Sequence, residues 1–106
     1  MTIFKFPMIE SEQVTHSRYL NSAKTISLSR YSIALPRSAR PLCIQLQENE
    51  PTVWILLEEI EAQPLHNMVF EFFGTGWPGI KVNGKAYLGT TQLNGLVWHW
   101  FYYWEG

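Results

Sequence analysis

A chain of 106 residues, 46% hydrophobic and only 16% charged, has the size of one compact domain and lacks the low-hydrophobicity, high-charge signature of a disordered segment. Its single cysteine, Cys43, excludes an internal disulfide or a structural zinc staple, and a net charge of -1 argues against a polybasic nucleic-acid or membrane-surface protein. No apolar run nears the roughly 18 to 20 residues of a membrane-spanning helix, and Glu10 and Glu12 stand where a signal peptide needs an apolar stretch, so a soluble, cytoplasmic protein is expected.

In chain order, Phe4, Phe6 and Met8 share one face of a short opening strand, and Pro7, which has no backbone donor, confines that strand to a sheet edge. Residues 14–31 fall in a stretch rich in Ser and Thr and poor in large apolar groups, and read as an inserted hairpin or loop. Ile26 and Leu28 alternate in one phase and Tyr31, Ile33 and Leu35 in the other, which calls for a turn or bulge near Ser29 and Arg30. Residues 42–47 alternate, with Leu42, Ile44 and Leu46 inward and Cys43, Gln45 and Gln47 outward. Glu48-Asn49-Glu50-Pro51 has turn chemistry, and residues 52–57 are apolar in both phases, as in a central strand. Residues 42–57 therefore form one hairpin. The best helical stretch, 56–63, stops at Pro64 after about two turns. Residues 68–73 are strand-like, with Glu71 as the polar interruption.

Two Asn-Gly dipeptides organise the C-terminal third, because both central positions of a type I′ hairpin turn need positive φ. Asn83-Gly84 would join Ile80-Lys81-Val82 to Lys85-Ala86-Tyr87-Leu88, and Asn94-Gly95 would join residues 90–93 to 96–104, giving a three-stranded meander. The last run places Trp98, Trp100, Tyr102 and Trp104 on one face and His99, Phe101 and Tyr103 on the other. A strand that is aromatic on both faces is interior or an interface, so a homodimer through the second face is expected. The whole reads as one all-β domain over residues 1–106: a twisted antiparallel sheet forming a β-roll or small sandwich, hairpin-rich, with little helix. Its expected core is Val53, Ile55, Leu57, Phe70, Phe72, Leu88 and Trp100.

Chemistry is sparse. The chain has no aspartate, so a Ser-His-Asp triad cannot form, and His16, His66 and His99 lack metal-ligand spacing. Cys43 in a strand is more often an apolar filler than a nucleophile. No enzyme activity, metal or cofactor is expected. Gly74-Thr75-Gly76-Trp77-Pro78-Gly79 could cradle an anion with its backbone amides, making Gly74, Thr75, Gly76 and Trp77 with Lys81 or Lys85 a candidate nucleotide site. It lacks the Lys-Ser/Thr of a P-loop, so a structural turn is the simpler reading.

The charge is segregated along the chain. Arg18, Lys24, Arg30, Arg37 and Arg40 occupy residues 13–47 with no acid, and Glu48, Glu50, Glu58, Glu59, Glu61 and Glu71 occupy 48–71 with no base. Solvated faces that partly pair are the common meaning of such blocks. The sharper reading is a partner surface built from Arg18, Lys24, Arg30, Arg37 and Arg40, or from the glutamates at 48, 50, 58, 59 and 61, which could mimic nucleic-acid phosphates.

Several motifs point to a family: Ile3-Phe4-Lys5-Phe6-Pro7; Ala34-Leu35-Pro36-Arg37-Ser38-Ala39 followed by Ile44-Gln45-Leu46-Gln47; Trp54 within residues 51–57; Gly74-Thr75-Gly76-Trp77-Pro78; Tyr87-Leu88-Gly89-Thr90; and Val97-Trp98-His99. Through these the chain resembles a group of small bacteriophage proteins of uncharacterised function. The resemblance implies an all-β phage or prophage accessory protein and brings no catalytic residues. Ser38 stands where that family prefers Gly, and the segment near 14–31 is an extra hairpin relative to it. The expected function is a non-enzymatic inhibitor in the host bacterial cytoplasm that binds and blocks a host defence protein or nucleoprotein complex, as anti-CRISPR proteins do. A small-ligand or signalling-nucleotide sponge and a virion or assembly component are the alternatives.

Overall fold

The computed structural model describes residues 1–9, 23–58 and 63–106, in which eight strands and no helix form. They are β1 (Thr2–Pro7), β2 (Lys24–Ser27), β3 (Arg30–Pro36), β4 (Arg40–Gln47), β5 (Glu50–Leu57), β6 (Leu65–Gly74), β7 (Ala86–Leu93) and β8 (Leu96–Trp104). Two antiparallel sheets result, one ordered β1-β5-β4 and the other β2-β3-β6-β8-β7, stacked as a sandwich. No helix among the described residues is long and apolar enough to cross a membrane.

Turn chemistry sets the hairpins. Glu48 and Asn49 both have positive φ (51° and 65°), as do Asn94 and Gly95 (51° and 79°), so β4–β5 and β7–β8 are closed by two-residue turns of the I′ kind. Glu50 and Pro51 already belong to β5. β5, apolar in both phases, is the centre of its sheet, and β1 with Pro7 is an edge. Between β2 and β3 both a turn, at Leu28 and Ser29, and a register shift, between Thr25 and Ser27, absorb the change of phase. The first part of the segment 14–31, through residue 22, lies outside the described residues, as do His16 and residues 59–62; Leu56 and Leu57 belong to β5 rather than to a helix.

Two expectations are corrected. Residues 80–82 are not a strand: Asn83 keeps negative φ, only Gly84 is positive (76°), and the Lys85 N–H donates to the Val82 carbonyl at 3.0 Å, the pattern of a type II turn. Residues 75–85 carry the chain from the end of β6 to the start of β7, two strands that run in the same direction on either side of β8, so 80–82 lie in that crossover rather than on the free edge of β7. The second concerns Leu42, which is 49% exposed rather than inward. Pro41 has no N–H for the ladder, the β4–β5 register slips between Pro41 and Cys43, and the alternation flips there, leaving Ile44 inward.

The core contains Phe6, Met8, Ile33, Leu35, Ile44, Val53, Ile55, Leu57, Met68, Phe70 and Trp100, with Phe72 and Leu88 half-buried against it. The two sheets also meet at their margins. The Ala23 N–H donates to the Pro7 carbonyl at 3.0 Å, and β7 presses on β4 so closely that a Cβ on Gly89 would lie 2.9 Å from Ile44 Cγ2. Gly89→Ala should therefore destabilise by about 1 to 3 kcal/mol, the usual cost of overpacking. With Ile44→Ala already present the added methyl should cost less, and a double-mutant cycle in urea would measure that coupling. Purely additive effects would mean that the contact is not tight.

Candidate functional site

Strand alternation in the five-stranded sheet turns Tyr31, Ile33, Phe70, Phe72, Trp100 and Tyr102 toward the other sheet. Arg30, Val69, Glu71, Phe73, Tyr87, Thr90, His99, Phe101 and Tyr103 fall on the outer face, where Arg30 and Phe101 flank Glu71, Tyr87 lies opposite Phe101, and Thr90 lies opposite His99. This face is not bare, because Val69 and Glu71 are only 2% and 3% exposed. β6 and β7 run in the same direction on either side of β8, so residues 75–85 must return along the sheet, and Lys85 at the end of that connection reaches the outer face.

Glu71 is the hub. Its Oε2 accepts from Arg30 Nε at 2.6 Å and its Oε1 from Lys85 Nζ at 2.5 Å, while the Lys85 ammonium also sits 5.5 Å from the Phe73 ring centroid and 5.2 Å from that of Tyr103. Burial by itself would push the Glu71 carboxyl up, but hydrogen bonds from Lys85 and Arg30, and then their charges, outweigh it and hold the group below the ordinary carboxylate range. The Arg30 guanidinium is raised by the same hydrogen bond and by the charge of Glu71.

Beside this cluster runs a chain of hydroxyls and imidazole. Thr75 Oγ1 is 2.7 Å from His99 Nε2, Thr90 Oγ1 is 3.2 Å from His99 Nδ1, and the Tyr87 hydroxyl is 2.6 Å from Thr90 Oγ1. Both ring nitrogens of His99 are thus engaged by threonine hydroxyls, one on each side. Phe101 stands edge-on to both Phe73 and Tyr87, with centroids 5.7 Å and 5.5 Å apart, and Tyr87 is 60% exposed. The result is a fixed aromatic row between a cationic cluster and a hydroxyl chain. Among the described residues His99 is held between two threonine hydroxyls. No group of three His, Cys or Glu residues able to hold a metal occurs among the described residues.

The glycine-rich loop has a structural task. A Cβ on Gly74 would collide with the Trp77 indole, and the Trp77 N–H donates to the Gly74 carbonyl at 3.2 Å. The indole stands edge-on to Trp98 at 5.5 Å and caps the aromatic core. Gly74, Thr75 and Trp77 share a hollow of about 170 Å³ with Gly95, Leu96, Val97 and Trp98, whereas Gly76 and Lys81 do not line it. Lys85 is engaged by Glu71.

Of the charged residues in the sequence-based partner set, Arg30 and Arg37 lie at opposite ends of the seven-residue β3, about 20 Å apart, and Lys24 lies on β2 opposite Ser32. Glu48 and Glu50 are at the β4–β5 turn, while Glu58 follows the far end of β5, near Arg40 opposite Leu56. Neither block gathers into one patch among the described residues, because successive antiparallel strands carry neighbours in sequence to both ends of the sandwich. Arg18, Glu59 and Glu61 lie outside the described residues.

The pairing of Thr90 with His99 could have been counted out from the Asn94-Gly95 turn, but that of Tyr87 with Phe101 could not, since the register slips between Tyr87 and Gly89. No curated protein and no solved structure matches the chain. Residues 24–106 match a family described as Domain of unknown function (DUF7352). The match takes in residues 24–31, the last part of the segment 14–31 that the sequence suggested as an insertion, and leaves out β1 with its Ile3-Phe4-Lys5-Phe6-Pro7 motif. It covers the entire five-stranded sheet and every outer-face residue described above, and on that extent the chain belongs to the small uncharacterised family Domain of unknown function (DUF7352).

Proposed function

We propose that this protein is a non-enzymatic binding protein that engages a protein partner through the outer face of its five-stranded sheet. On this proposal it is a phage or prophage accessory protein that blocks a host defence component, anti-CRISPR-like, in the bacterial cytoplasm. The observation that carries the reading is the aromatic row Phe73, Phe101 and Tyr87 beside Arg30 and Lys85. Tyrosine, other aromatics and arginine dominate interface hot spots, and rings already fixed by their neighbours lose little entropy on binding. The signalling-nucleotide alternative has less support. The hollow at Gly74, Thr75 and Trp77, about 170 Å³, is below the roughly 300 Å³ at which small-molecule pockets begin.

The test is the plating efficiency of a defence-sensitive phage on a bacterium that carries the defence system and expresses the protein. Wild type should restore plaques, and Tyr87→Ala should weaken target binding about 10- to 30-fold with thermal stability nearly unchanged. Equal activity of the variant would remove this face from the function. A second copy is the competing occupant. Light scattering on the order of tens of micromolar that reads a doubled mass, halved by Tyr103→Glu, would assign the face to self-association instead.

A further inference from the structure

A larger concavity opens between the two sheets, away from the outer face. The β7–β8 ladder starts with Ala86 opposite Tyr102, so Tyr103 and Trp104 run past the end of β7 while β6 still pairs with both. Across that gap stands the start of β4, where Pro41 interrupts the ladder and Leu42 bulges outward. The cleft is about 470 Å³, with Arg40 and Leu42 on one side, Leu56 and Met68 from the two sheets, and Tyr102 and Trp104 on the other. The Arg37 guanidinium lies 5.1 Å over the Trp104 ring, adding a second cation at the rim.

We infer that this cleft binds a small aromatic acid, its ring against Tyr102, Trp104 and Met68 and its anionic group at Arg40. The volume falls within the range of about 300 to 1,000 Å³ typical of small-molecule sites. Its walls come from both sheets, so the occupant inserts between layers, which suits a planar ring better than a strand or helix laid on a surface. Leu42 is an apolar side chain held 49% exposed by a backbone bulge. The ion pairs among the described residues both belong to Glu71, so Arg37 and Arg40 carry positive charge that no carboxylate there matches, nearby Glu58 included. A cleft of mixed lining, with Leu, Met and aromatic side chains and guanidinium groups that no described carboxylate matches, is complementary to an amphipathic anion. The inference is independent of the partner-binding proposal, whose residues lie on the other face of the sheet.

The probe is 8-anilinonaphthalene-1-sulfonate, with the uncharged N-phenyl-1-naphthylamine as its control. The sulfonate should saturate one site per chain, quench tryptophan fluorescence, and lose at least tenfold in affinity with Arg40→Glu. Arg40 is exposed, so thermal unfolding of that variant and of Arg40→Gln should match wild type. Leu42→Trp should fill the cleft from the bulge and abolish binding, while Tyr87→Ala should leave it unchanged. The uncharged control should be indifferent to Arg40→Glu. No saturable binding, several equivalent sites, or equal affinity in wild type and Arg40→Glu would each overturn the assignment.

Discussion

Glu71→Ala should lower the unfolding free energy by about 3 kcal/mol, the lower end of the cost of breaking a buried ion pair. The carboxylate is 4% exposed and meets two cations, and its removal leaves the Lys85 ammonium facing the Phe73 and Tyr103 rings without a counter-charge. The three partners are not equivalent. The Arg30 side chain is 45% exposed and can rehydrate when released, which places Arg30→Ala in the range of about 0 to 1 kcal/mol found for exposed pairs. Lys85, 16% exposed and anchoring the end of the β6–β7 connection, should fall between the two. The same cluster sets a pH dependence. Because the folded Glu71 carboxyl lies below its ordinary value, its contribution is fully present above the unfolded pKa of about 4.3 and is lost as pH falls through the lower folded value. Urea titrations from pH 7 down to pH 3 should show wild type losing stability in the acid limb more steeply than Glu71→Gln. Parallel limbs would mean that Glu71 titrates in the folded chain as it does unfolded.

The outer face also shows where sequence reasoning succeeds and stops. Positive φ at Asn94 and Gly95 was legible from the residues themselves, and with it the β7–β8 hairpin and the side on which Trp98, Trp100 and Tyr102 lie. Asn83-Gly84 has the same letters and a different turn, because it lies in the crossover from β6 to β7, and the placement of those two strands in the same direction on either side of β8 is a long-range fact absent from any local window. The aromatic strand's second face required a cover, and the sequence allowed a second copy or the chain itself. The structure supplies a partial cover from within: Lys85 spans Phe73 and Tyr103, and Glu71, which looked like an interruption of an apolar strand, is what holds Lys85 there.

Leu42 marks the other limit. Perfect alternation over residues 42–47 was legible, but Pro41 just ahead of it was the stronger signal, because a residue without an N–H in a strand marks an edge or a bulge. One slipped register moved Leu42 from the core to the rim of the inter-sheet cleft. The charge blocks are dispersed for a related reason. Sequence proximity becomes spatial proximity on a helix face, but in a meander of eight-residue strands such as β4 and β5 it is undone within two strands, and Glu50 and Glu58 end up at opposite ends of β5.

Trp100→Ala should destabilise by about 3 to 5 kcal/mol, the range for truncating a buried large aromatic and a large part of the roughly 5 to 15 kcal/mol that holds a domain of this kind together. Trp100 is 1% exposed at the centre of the five-stranded sheet's inner face, with the Phe72 and Tyr31 ring centroids 4.9 Å and 6.3 Å away. Its Nε1–H donates to Thr91 Oγ1 at 3.0 Å, and Thr91 is itself 4% exposed, so loss of the indole also strands a buried hydroxyl. Trp100→Phe separates the two effects: most of the ring remains, the donor goes, and about 1 to 2 kcal/mol should be lost. Adding Thr91→Val to Trp100→Phe should recover part of that loss, because the stranded hydroxyl goes too, and far-UV circular dichroism in urea can follow all four proteins without depending on tryptophan emission. A neutral Trp100→Phe, or a double variant no better than the single, would show that the hydrogen bond contributes nothing net. His99 and Phe101 are the immediate chain neighbours of Trp100 and point the other way, so the anchor that fixes the core also fixes the outer face. Trp100→Ala should therefore loosen the contacts of Phe101 with Phe73 and Tyr87 before the sheet unfolds, which amide exchange along β8 would register as early loss of protection.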